Sequence, residues 1–226
     1  MAAPRPLNGK ALARLQMGLA EDIAAVGRLL DEWQAGRAPL YTVAPPQAVR
    51  VGELNPDGWG EWQMIPSPVS SDDVDRLERE IGVRLPPFYR AFLSCRVVLD
   101  LDFGDYTLPS IWPRDALVDV RQYLSASVGD GFVQFGSARG CGDPLCFDMM
   151  DPAQDGDCQV VVFNHDFVPS AAWGVRTDLQ RYAAVVAPTF RAFLTSLLSG
   201  DPGIFPPPQS PAELQTSLTL GRGKAG

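Results

Sequence analysis

The 226-residue sequence predicts an α+β fold. Three observations carry that prediction. Helical patterns come first, several short strand-like runs follow, and one more helical run closes the patterned part. Hydrophobic residues make up 46 % of the chain, enough for a real core. The length suits one substantial domain with extensions, or two small ones. No internal repeat is present.

Leu12, Leu15, Leu19, Ile23, Val26, Leu30 and Trp33 recur every three or four residues. This predicts one amphipathic helix over 10–35, stopped by Gly36. Its stripe is expected to pack on the protein's own core, and the other reading is a helix offered to a partner. Residues 37–69 are rich in Pro and Gly. Short strands are expected at 47–54 and 60–65, around a turn at Asn55-Pro56-Asp57-Gly58. Trp59 and Trp62 follow that turn, either as cover for a core edge or as an exposed anchor.

Ser70 and Asp73 have the spacing of a capping box, with Asp in place of the usual Glu. Val74, Leu77 and Ile81 give that helix a buried face, and Gly82 ends it. Pro87 starts a second helix carrying Phe88, Tyr89, Phe92 and Leu93. Over 97–103, Leu99, Leu101 and Phe103 alternate with Asp100 and Asp102, the pattern of a half-buried strand with an acidic face. Gly104-Asp105 is a turn, and Tyr106 to Leu108 a return strand. A short helix over 113–124 is expected next, then strands at 132–135 and 145–148, with Gly136 to Gly142 as the loop between them. Residues 158–163 read as a central, doubly buried strand. An amphipathic helix over 188–198 starts at Pro188 and ends at Gly200. Five prolines after Asp201 predict a mobile tail.

No run approaches the roughly 20 apolar residues of a membrane span. Arg5, Asn8, Lys10 and Arg14 interrupt any export signal, and no lipidation motif is seen. A cytoplasmic location is therefore expected, with Cys95, Cys141, Cys146 and Cys158 as reduced thiols. The charge is uneven. Residues 1–50 carry 6 Lys/Arg against 4 Asp/Glu, whereas 51–200 carry 11 against 21. Such acidity argues against nucleic-acid binding, which needs a basic footprint, and suits either solubility or a basic partner.

Catalytic patterns are weak. Any Ser or Cys nucleophile would depend on the single histidine, His165, and no cysteine has a recognisable flanking signature. No catalytic residue is assigned. Cys141, Cys146, Cys158 and His165 give C-x4-C-x11-C-x6-H, a chemically acceptable zinc set whose spacing fits no standard finger. The Asp-rich stretch 143–157 misses the calcium-loop register, and Gly136 to Gly142 lacks the phosphate-loop lysine. No cofactor or metal is expected.

The pieces stand in a known order. Val74-x-x-Leu77-Glu78, Ile81-Gly82-Val83-x-Leu85-Pro86 and Tyr89-x-x-Phe92-Leu93 resemble the opening of a domain of the SUKH superfamily. Phe132 to Asp148, including Gly140-x-Gly142-Asp143-x-x-Cys146-Phe147-Asp148, is similar to that family's strand, glycine-rich loop and strand. Val160 to His165 resembles the next strand, and Phe190-x-x-Phe193-Leu194 its closing helix. One departure stands out. Where the family usually has an Asn-Gly turn, Ser94-Cys95-Arg96-Val97 leads straight into a strand.

The resemblance covers about 66–199. It implies a mixed, mainly antiparallel sheet flanked by helices, with residues 1–65 as an N-terminal extension and 201–226 as the tail. It also implies binding rather than catalysis. Bacterial members are mainly immunity proteins that neutralise toxins, often nucleases, and a fungal relative regulates cell-wall assembly. The expected function is thus a non-enzymatic immunity protein that binds a basic toxin domain. The candidate contact residues are Asp100, Asp102, Asp105, Trp112, Asp143, Asp151, Asp155 and Asp157. The alternatives are an intracellular scaffold or regulator docking through the N-terminal helix, and the zinc protein.

Overall fold

The computed structural model describes residues 9–200 apart from 38, 100, 113–116, 126, 130, 139–141, 151 and 154. Helix α1 (Gly9–Ala35) follows the predicted period, and Val26, Leu30 and Trp33 are buried in the main core. It lies along α3 (Pro87–Cys95) so closely that a Cβ on Gly27 would stand 3.3 Å from the Cys95 sulfur. Asp31 of α1 also pairs with Arg96, the residue that follows α3, at 2.9 Å. From Leu19 to Trp33 the stripe therefore packs on the protein's own core, the first of its two expected readings, and the side chains of Leu12 and Leu15 lie outside the described residues.

A small antiparallel sheet follows, β1 (Leu40–Val43), β2 (Arg50–Val51) and β3 (Trp59–Trp62), in the order β1-β3-β2. The predicted turn leads into β3. Asn55 Oδ1 accepts the N–H groups of Asp57 and Trp59 at 3.0 and 2.8 Å, and Gly58 has φ 81°. Strand β1 was not expected, and the strand expected at 47–54 is only two residues long.

Helix α2 (Ser71–Ile81) carries the predicted capping box. Ser70 Oγ accepts the Asp73 N–H at 3.2 Å, and Asp73 accepts the Ser70 N–H at 3.0 Å. Gly82 closes the helix in the left-handed region at φ 72°. Buried Glu78 accepts the Leu85 N–H at 2.8 Å and pairs with Arg90, which fixes the Leu85-Pro86 corner that launches α3.

The main sheet is built from β4 (Leu101–Asp102), β5 (Tyr106–Leu108), β6 (Ser127–Gly129), β7 (Phe132–Ala138), β8 (Asp143–Asp148), β9 (Gln159–Val162) and β10 (Ala184–Ala187). Its order is β10-β9-β8-β7-β5-β4, with β6 also on β7. Every described pairing is antiparallel. Helix α4 (Val118–Ser125) is the later part of the helix expected at 113–124. Helices α5 (Arg176–Leu179) and α6 (Phe190–Ser199) come later in the chain. The loop expected at Gly136 to Gly142 starts later, because β7 runs on to Ala138. Gly136 sits at a register shift where a Cβ would lie 2.8 Å from the Thr107 carbonyl oxygen.

Strand β9 is an interior strand, with β8 and β10 on either side, but it lies next to the edge strand β10 rather than at the centre of the sheet as expected. Side-chain alternation gives the sheet two covered faces. Leu145, Phe147, Val160 and Val162 join the main core under α1, α3 and α6. Cys146, Val161 and Phe163 join a smaller core with Phe132, Val168 and Leu179. Aromatic rings dominate the main core. Phe135 stacks on Phe147 at 4.0 Å, and Tyr89 meets Phe190 edge-on at 5.0 Å. The predicted tail lies outside the described residues.

Candidate binding surface

The strand registers sort the expected contact residues into two groups. Tyr106 opposes Ala138, and Ala138 opposes Asp143, so the β4–β5 turn with Asp102 and Asp105 shares one end of the sheet with Asp143 and His165. Asp148 opposes Gln159, so the loop carrying Asp155 and Asp157 lies at the other end. The described acids do not form one face.

Burial divides them further. Asp102, Asp105 and Asp155 are exposed, and Trp112 is half-buried against the main core. Asp102 Oδ1 accepts the Gly104 N–H at 2.8 Å, which shapes the turn. Asp143 and Asp157 are corrections to the expected acidic surface, being only 1 % and 2 % exposed. Asp143 accepts the His165 backbone N–H at 3.0 Å and meets the His165 ring at Nδ1. Asp157 accepts backbone N–H groups from Cys158, Phe190 and Arg191. A buried carboxylate needs such partners, and Asp143 meets them through Oδ1 while Asp157 uses both of its oxygens. Asp100 and Asp151 lie outside the described residues.

The zinc set is not brought together. Cys146 points into the small core and Cys158 into the main core, on opposite faces of the sheet. His165 is at the far end of the strands from Cys158. Cys141 lies outside the described residues, among which no group of three His, Cys, Asp or Glu side chains is placed to hold a metal. Burial pushes the Cys158 thiol up to about 12 and the Cys146 thiol well above its usual range. Both are the wrong direction for thiolate chemistry.

A different surface, of which only Trp59 is foreshadowed in the sequence, stands out on the small sheet. Tyr41, Val43 and Trp59 are 59 %, 57 % and 45 % exposed, and Val51 and Leu54 are exposed too. All five belong to the small sheet and its turn. Register puts Val43 beside Trp59, and Tyr41 and Val51 on either side of Glu61, all on the outer face. Trp62 faces inward between Leu40 and Arg50 and is 3 % exposed, so the two tryptophans split the two roles expected of them. The alternation of Tyr41 and Val43 was the available signal, obscured by flanking prolines.

The small sheet meets the edge of the large one at a hollow of about 320 Å³ lined by Trp33, Arg37, Tyr41, Trp62 and Asp102, among others. Asp102 thus lies near the exposed tyrosine. Arg37 stacks over Trp33 at 4.8 Å. Glu53, Asp57, Glu61, Asp102 and Asp105 form no ion pair among the described residues.

The architecture is that of an α+β protein whose antiparallel sheet is covered on both faces. Residues 68–196 match the SMI1 / KNR4 family (SUKH-1), more than half of the chain, and the protein belongs to that family. No curated protein matches the chain. The family match leaves out α1 and the three-stranded sheet, although α1 packs against the matched part. No helix among the described residues is long and apolar enough to cross a membrane.

Proposed function

We propose that this protein is a non-enzymatic immunity protein that acts in the cytoplasm by binding a basic bacterial toxin domain. Family membership is the observation that carries the reading, because this family works largely by binding other proteins. The charge distribution supports it. Exposed acids without ion pairs among the described residues would steer a cationic partner and occlude a nuclease's nucleic-acid site.

A binding role also suits the polar groups. His165 has Nδ1 on Asp143 and Nε2 3.4 Å from Asp166, so among the described residues both ring nitrogens face carboxylates rather than a nucleophile. The scaffold reading uses α1 as a docking helix, and the burial of Val26, Leu30 and Trp33 favours the immunity reading over it. The test is co-expression with the toxin domain encoded beside this gene. Protection of cells and a stable complex are expected. A toxin that kills regardless, with no complex formed, would overturn the proposal.

A further inference from the structure

We infer that the outer face of β1, β3 and β2 is the main docking surface, and that it receives a basic protein with an apolar centre. This deepens the proposed function and rests on its reading of the chain as a protein-binding one. Two aromatic rings and two valines are exposed on one face around Glu61, since Val43 pairs with Trp59 while Tyr41 and Val51 flank Glu61. A soluble surface rarely spends that much aromatic area without a partner, and Trp and Tyr are the side chains that dominate binding energy.

Charge selects the occupant. From 51 to 62 the chain carries Glu53, Asp57 and Glu61 and no Lys or Arg. Of the arginines next to this sheet in the chain, Arg37 stacks over Trp33, and Arg50 is opposite Trp62 on the inward face. Phosphate-bearing partners, lipid or nucleic acid, meet repulsion here. A second copy docked across a two-fold axis close to Glu61 would bring that carboxylate near its own equivalent, with no Lys or Arg of 51–62 to offset it. A partner with Lys or Arg around an apolar knob fits both features.

The face is also closely packed from its inner side. A Cβ at Gly60 would stand 2.7 Å from Leu54 and 2.9 Å from Pro45, so the strand closes tightly on the segments below it. Trp62 anchors the inner side in the main core. A pre-formed sheet face binds without paying to order itself.

The experiment uses the full chain in two arms. Calorimetry with the toxin domain encoded beside the gene compares wild type with Trp59→Ala, Glu61→Arg and Asp155→Asn, each checked for unchanged melting. Trp59→Ala is expected to weaken binding by roughly 30-fold. Glu61→Arg is expected to weaken it by roughly tenfold and flatten its salt dependence, while Asp155→Asn stays at the wild-type value. If the toxin binds and only Asp155→Asn loses affinity, the inference falls and the immunity reading stands. If the toxin does not bind wild type, that reading falls. The second arm then decides the surface alone, by titrating the isotope-labelled chain with a synthetic Arg/Leu-rich peptide. Amide shifts confined to 40–62 and the Trp59 indole support the inference, and shifts centred elsewhere overturn it. Sedimentation showing a dimer abolished by Trp59→Ala would also overturn it, by making a second copy the occupant.

Discussion

The carboxylate of Asp157 accepts the backbone N–H of Arg191 at 2.9 Å, across 34 residues of sequence. It accepts Phe190 N–H as well, so a loop acid serves the first turn of α6 while Thr189 caps Ala192. The negative oxygen sits where the helix dipole favours it. Removing it leaves buried N–H groups unsatisfied. Asp157→Ala is expected to cost about 2–3 kcal/mol in urea unfolding, and an unchanged midpoint would contradict the assignment.

The same residue gives a pH signature. Burial raises its pKa, while the N–H bonds from Arg191, Cys158 and Phe190 pull the other way. A carboxyl raised above its unfolded value contributes stability that is full below the ordinary 3.8 and lost as pH rises through the folded value. The stability difference between wild type and Asp157→Asn is therefore expected to shrink as pH rises through that window. A difference that grows would show that the hydrogen bonds outweigh burial.

Asp73 behaves oppositely. The hydrogen bonds from the Ser70 hydroxyl and N–H hold its pKa below the usual range. Its contribution is present above 3.8 and lost as pH falls through the lowered value. Ser70→Ala is expected to destabilise by about 1 kcal/mol and to move the Asp73 titration, followed by NMR, back upward. A titration that stays in place would mean the cap does not set it.

The two tryptophans of β3 are expected to respond very differently. Trp62→Ala empties a core position and is expected to cost about 3–5 kcal/mol. Trp59→Ala is expected to change stability by no more than about 0.5 kcal/mol. Denaturant midpoints for the pair check this, and equal losses would contradict the face assignment.

Cys95, Cys146 and Cys158 are buried, and burial raises all three thiols. Their labelling by a thiol reagent at pH 8 is expected to be slow in the native protein and fast in denaturant. Rapid native labelling at any of the three positions would contradict that burial.

Much of this fold was legible because its signals are local. Ser70, Asp73 and Gly82 bracket α2, and Pro87 opens α3, through contacts within a few residues. Strand β9 announced itself by a run of valines. What escaped depends on distant partners. Strand β10 has only Ala184 to Ala187, and gains its identity from pairing with β9. Asp143 and Asp157 look like surface acids until His165 and α6 fold onto them. The outer face of the small sheet needed the β1–β3 register, which unites Tyr41, Val43 and Trp59 from two separate stretches.

The most direct test of the central claim is growth of cells expressing the neighbouring toxin domain together with this protein or its Trp59→Ala variant. Full rescue by the wild type and loss of rescue by an equally stable, equally abundant Trp59→Ala variant is the expected result. No rescue by the wild type would contradict toxin neutralisation itself, and equal rescue by both would contradict the placement of the partner on the small sheet.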